Sequence, residues 1–282
     1  MIISYGCAAG GNGEQAVPEM PPVEWKDCAT VKTKTEFDGY FRHVDSMERL
    51  ATAGKTSDVL QELSKSRQAF FRNQDPVELY PTLYFHTTSL IFEIALKDES
   101  NNGPLLLDMV VTFFDSYKYN RLAFEKGGVK SVEPHWQRFY EMAGRRRSKS
   151  PDLDIAVEIL AEGDDAHIVY DTPRFVRTLS NKSSAEIEVL KTEYFRIDDI
   201  FYEASKRMLG DLRKAYELPV NAEDERMFLS GGAYVRYLRK RSWELGMGKS
   251  DLATKVTIPR FEHNTGSRTF FPKELMDRGL CR

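Results

Sequence analysis

From about residue 36 to about residue 245, apolar side chains recur at three- and four-residue steps. No stretch alternates apolar and polar residues for long enough to build a sheet. This periodicity predicts an all-α fold, a single domain of about seven to nine helices. The breaks set their bounds. Residues 36–53 and 56–73 read as two helices parted at Ala53-Gly54-Lys55, with Ser57 as a cap. Pro76 opens a helix to Lys97 whose stripe is Leu79, Leu83, His86, Leu90 and Ile94. Residues 105–126 are apolar on nearly every side, which predicts a central helix buried all round, stopped by Gly127 and Gly128. Further helices are expected from Pro134 to about Gly144, from Leu153 to about Asp171, over 184–216 as one or two, and over 223–245. Pro173 is expected to interrupt or kink the chain after Asp171, and Pro219 to end the 184–216 unit.

The ends read differently. Residues 1–23 form a small-residue and polar leader in which Pro18, Pro21 and Pro22 forbid a regular helix. Residues 24–250 are expected to be the helical domain, and residues 251–282 an extended tail packed on it. Cys7, after a small residue and before a flexible linker, resembles the end of a bacterial lipoprotein signal and is a candidate lipid anchor. Tyr5 and the lack of a charged, apolar start depart from that pattern. A cell-envelope lipoprotein and a cytoplasmic protein both fit. Of the three cysteines, Cys28 and Cys281 then remain either as a pair for a disulfide or as free thiols.

Charge narrows the partners. Formal net charge is −3, so no basic field exists to hold a nucleic-acid backbone. Arg145, Arg146, Arg147 and Lys149 read as a solvated loop between helices. No stretch reaches the roughly 18 apolar residues of a membrane span.

One stripe changes character midway. The helix from Leu153 carries Leu153, Ala156, Val157 and Leu160, then at the same rhythm Asp164, His167, Ile168 and Asp171. Ionisable groups thus point where apolar ones are expected, which is costly unless they are paired or bind a cation. His167 and Asp171, four apart, can meet one ligand. Asp108 and Asp115 share one side of the 105–126 helix and would also lie inside if that helix is central. His86 interrupts an apolar stripe, and His135 sits at a helix start beside Trp136.

Two readings of this set compete. In one, His167, Asp171, Asp164 and His86 bind a divalent metal, and Asp108 or Asp115 completes the shell or acts as base in metal-assisted hydrolysis. In the other, the groups form a salt-bridged core network, or a metal-free pocket for a small polar ligand, in a protein that is no enzyme. No zincin helix, nucleophile elbow, P-loop or dinucleotide fingerprint is present. Ser230-Gly231-Gly232 reads as a close helix contact.

The block Ala166-His167-Ile168, with Asp171 and Pro173, resembles the Ala-His-Ile-x-x-Asp-Leu-Pro signature of a mainly bacterial, helical domain-of-unknown-function family. Leu79-Tyr80 with Thr87, Asp115 with Tyr117, Pro134-His135-Trp136 and Glu193 to Asp198 fall in the order expected of it, over roughly residues 40–245. Asp165 stands where that pattern has asparagine, and Thr172 where it has leucine. The resemblance implies an all-helical domain with His167 and Asp171 at its polar centre, and no established activity.

Overall fold

A computed structural model describes residues 47–97, 103–146 and 152–248, and among them the regular structure is entirely helical. The leader, the tail, His43, His263 and all three cysteines lie outside the described residues. The α-helices are α1 (Met47–Asn73), α2 (Leu79–Lys97), α3 (Gly103–Gly127), α4 (Pro134–Arg145), α5 (Leu153–Asp164), α6 (Thr172–Thr178), α7 (Ser184–Arg196), α8 (Ile200–Tyr216) and α9 (Ala222–Gly246). No helix among the described residues is long and apolar enough to cross a membrane.

Helix α2 is the pivot. It packs on α1, α3, α5 and α8, and Leu79 and Leu90 of its stripe are fully buried. The main core runs from these residues through Phe70 of α1, Leu106 of α3, Trp136 of α4, Ile159 of α5 and Met208 of α8. Helix α9 closes the opposite side against α6 and α8. Gly232 there lets α9 approach the backbone of α8 at Tyr202, as the small-residue run suggested.

Three expectations are corrected. The chain does not part at Gly54, because α1 runs unbroken through it and Ser57 is a buried helical residue rather than a cap. A mid-helix glycine costs only about 1 kcal/mol, less than the packing of Val59, Leu60 and Leu63 returns. Helix α3 is not buried all round. Asp108, Thr112, Asp115, Tyr119 and Leu122 form an exposed stripe at helical spacing, so the two carboxylates face solvent. Finally, the interruption expected at Pro173 takes the form of a change in helical geometry, not of a gap between helices. Residues Asp165–Asp171 form a π-helical segment that joins α5 to α6, and the Thr172 N–H donates to the His167 carbonyl. The wider turn accommodates a proline that lacks an N–H and crowds the preceding turn.

Close packing fixes where that segment lies. A Cβ on Gly163 would fall 2.2 Å from Cδ2 and 3.0 Å from Cβ of Tyr80. The base of a buried side chain cannot swing away. Gly163→Ala is therefore expected to lower the unfolding free energy by about 1–3 kcal/mol. A urea titration checks this, and an unchanged midpoint would mean that α2 and α5 can part freely.

Candidate functional site

The π-helical segment places Asp171 between two imidazoles. Its Oδ1 lies 3.1 Å from Nε2 of His135, at the start of α4, and its Oδ2 lies 3.2 Å from Nδ1 of His167. The Asp171 and His135 side chains are 2% and 6% exposed, so little water competes for these bonds. Glu133, just before α4, adds a second carboxylate, 3.7 Å from Nε2 of His135. Arg174 donates to both Glu133 oxygens, at 2.8 and 3.0 Å, and lies 3.9 Å from Asp171. Asn120 of α3 locks Glu133 in place: its side chain donates to Oε2 at 3.0 Å and accepts from the Glu133 N–H at 2.9 Å.

Electrostatics assign the protons. Burial opposes ionisation of Asp171, but hydrogen bonds from His135 and His167, the coulombic attraction of His167 and a further bond from Ser116 outweigh it. The carboxyl is held well below the usual carboxylate range. An ionised Asp171 only accepts, so both histidines donate to it. In the neutral form of His167 the ring proton is then on Nδ1 and the lone pair on Nε2. Around its ring stand Tyr84, Phe113, Tyr80 and Trp136, with centroids 4.9, 5.7, 6.1 and 6.2 Å away.

His167 also lines a cavity of about 130 Å³, between α2, α3, α5, α8 and α9. The walls are mainly hydrocarbon, from residues such as Leu106, Val110, Leu160 and Phe201. The expected polar pocket is thus an apolar cavity with a few polar groups, the form most small-molecule sites take. Asp164 lines it too. Burial pushes the Asp164 carboxyl well up, and the adjacent charge of Asp165 adds to this. Asp165 is itself pushed up to about 7, burial outweighing a 2.8 Å hydrogen bond from the Tyr234 hydroxyl.

Asp164 therefore works against folding at neutral pH. Its folded pKa lies above the unfolded value of about 3.9, so its own contribution to stability is most favourable in acid and falls as pH rises and only the unfolded carboxyl ionises. Asp164→Asn is expected to raise stability at pH 7 by about 1 kcal/mol, or about 2–4 °C in Tm. The gain should vanish near pH 3, where both states are protonated. Calorimetry at the two pH values checks this, and an equal gain in acid would refute the electrostatic cause.

The other expected site residues separate. His86 belongs to a distinct buried cluster, its Nε2 2.8 Å from Asp211 of α8, and does not join His167 as a co-ligand. Asp108 and Asp115 neither line the cavity nor hydrogen-bond to Asp171. The carboxylate that does lie beside His135 is Glu133, which sequence spacing did not single out. The sequence signal was its position just ahead of Pro134-His135, where a carboxylate at a helix start is readily oriented. One ligand atom each from Glu133, His135 and Asp171 lie within 4.8 Å of one another, so this triad could hold a metal ion.

A family model described as a family of unknown function (DUF5995) matches residues 56–255. No curated protein and no solved structure matches the chain.

Proposed function

We propose, for a chain that belongs to the family of unknown function (DUF5995) and takes no assigned activity from it, that the cavity is an active site for metal-free hydrolysis with His167 as general base. The observation that carries this reading is the Asp171 carboxylate bridging His135 and His167, with His167 on the cavity wall. Asp171 fixes the tautomer of His167 and compensates the imidazolium that forms when Nε2 takes a proton. In ester hydrolysis, Nε2 accepts a proton from water and the water oxygen attacks the carbonyl carbon. The carbonyl–alkoxy bond then breaks, and the imidazolium returns the proton to the leaving alcohol. One ester and one water yield one acid and one alcohol. The enclosing aromatic rings limit water around the base.

A second reading has support in the Glu133–His135–Asp171 triad, which could hold a divalent metal that polarises a carbonyl or lowers the pKa of water. Arg174 weighs against it, because a guanidinium already compensates the same two carboxylates. The test is turnover of p-nitrophenyl esters by the purified protein before and after exhaustive chelation. Metal-free hydrolysis predicts turnover that survives chelation. Turnover lost on chelation and restored by zinc or manganese supports the metal reading. No turnover under either condition refutes hydrolysis by both routes.

A further inference from the structure

The polar groups on the cavity wall are unevenly used. Asp164 lines the cavity and no hydrogen bond to it is found among the described residues. Burial and the neighbouring Asp165 push its carboxyl up toward the protonated form, and in that form it offers an O–H donor on the cavity wall. Tyr84 also lines the cavity, beside His167, and its buried hydroxyl has no hydrogen-bond partner among the described residues. A buried donor left unmade is costly, and a ligand oxygen would relieve it. Arg239 is the one lysine or arginine among the described lining residues, and its charge is already committed. It donates from Nε to Asp198 at 2.7 Å and from Nη2 to the Tyr194 carbonyl, and its guanidinium stacks 3.8 Å over the Tyr194 ring. A carboxylate entering the cavity would therefore meet a mainly hydrocarbon wall and, among the described lining residues, no lysine or arginine whose charge is not already engaged.

We infer that the cavity selects a neutral, mainly hydrocarbon molecule with one carbonyl oxygen, which accepts a hydrogen bond from Asp164 at the end of the cavity lined by His167 and Tyr84. This rests on the reading above that the cavity is the substrate site, and it makes Asp164 a specificity determinant for neutral esters and ketones over fatty-acid anions. The volume of about 130 Å³ greatly exceeds the roughly 15 Å³ that one water needs, and the apolar lining favours a hydrocarbon body.

Binding is measured by tryptophan fluorescence, with Trp136 as the nearby reporter at 6.2 Å from His167. The probes are methyl heptyl ketone, which cannot be hydrolysed, nonane and nonanoate. The ketone is expected to bind at least about tenfold more tightly than nonanoate and about three- to tenfold more tightly than nonane. Asp164→Ala should erase the preference for ketone over nonane, while Asp164→Asn, which keeps a donor, should retain most of it. Nonanoate binding as tightly as the ketone, or an Asp164→Ala protein that still prefers the ketone, overturns the inference. Failure of the catalytic reading looks different: the ketone preference is intact and wild-type protein has no esterase turnover. Turnover without any ketone preference leaves catalysis standing and removes this ligand class.

Discussion

Asp211→Ala is expected to lower the unfolding free energy by about 3–5 kcal/mol at pH 7, a fall of roughly 6–20 °C in Tm. Asp211 lies on α8 and receives two bonds from Arg67 of α1, at 2.6 and 2.9 Å, and one contact from His86 of α2 at 2.8 Å. The Asp211, Arg67 and His86 side chains are only 9%, 15% and 6% exposed. Truncation leaves a guanidinium and an imidazole in low dielectric without their shared acceptor, and it loosens three helices at once. Burial resists ionisation of Asp211, but the bonds to Arg67 and His86 prevail and hold its pKa below the usual range. The contribution is thus complete above the unfolded pKa of about 3.9 and is lost as pH falls through the lower folded value. His86 acts in the same direction. Burial lowers its pKa, so below about pH 6.5 the unfolded chain takes up the proton first and is favoured. Replacing both charged partners by apolar residues, Arg67→Met with Asp211→Leu, should recover much of the loss. Calorimetry of the single and double variants checks this, and a double variant as weak as Asp211→Ala would show that packing alone is responsible.

Much of this architecture was legible as period. The stops at Gly127 and Pro219, the helix starts at Pro134 and Leu153 and the stripe on α2 fall where the apolar rhythm and the breakers put them. The errors share a cause: a helical pattern states which residues share a side, and not which side faces solvent. Asp108 and Asp115 were rightly placed on one stripe of α3, yet that stripe continues through Thr112, Tyr119 and Leu122 and is the wet one. His86 does interrupt the apolar face of α2. Its partner is 125 positions away on α8, and only tertiary structure brings the two together. Glu133 was missed for the same reason, since Asn120 and Arg174 that hold it are remote in sequence. The π-helical segment had no local mark beyond Pro173, and residues Asp165–Asp171 in that segment put His167 and Asp171 in register with His135.

His167→Ala and Asp171→Asn should lower kcat/KM for ester hydrolysis by about 10³–10⁴ while the fold persists, and their difference from each other is the sharper test. His167→Ala removes the base outright. Asp171→Asn keeps the size of the side chain and one acceptor oxygen, but its amide nitrogen is a donor and the charge is gone. If the amide N–H faces His167, Nδ1 must become the acceptor, the ring proton moves to Nε2, and no base remains on the cavity wall. If the oxygen faces His167 instead, the tautomer survives but nothing compensates the imidazolium formed in the transition state. Either way turnover falls, whereas the ketone affinity of Asp171→Asn should stay within about threefold of wild type, a shift under 1 kcal/mol. The same substitution carries a pH signature in stability. Hydrogen bonds to the two histidines hold the Asp171 pKa well down against burial, so the wild-type advantage is full above about pH 4 and closes as pH falls further. Steady-state rates, ketone titrations and calorimetry on the two variants check these three outcomes together. An Asp171→Asn protein that keeps turnover within tenfold of wild type would remove Asp171 from the mechanism and leave the histidine pair as a structural bridge between α4 and the π-helical segment.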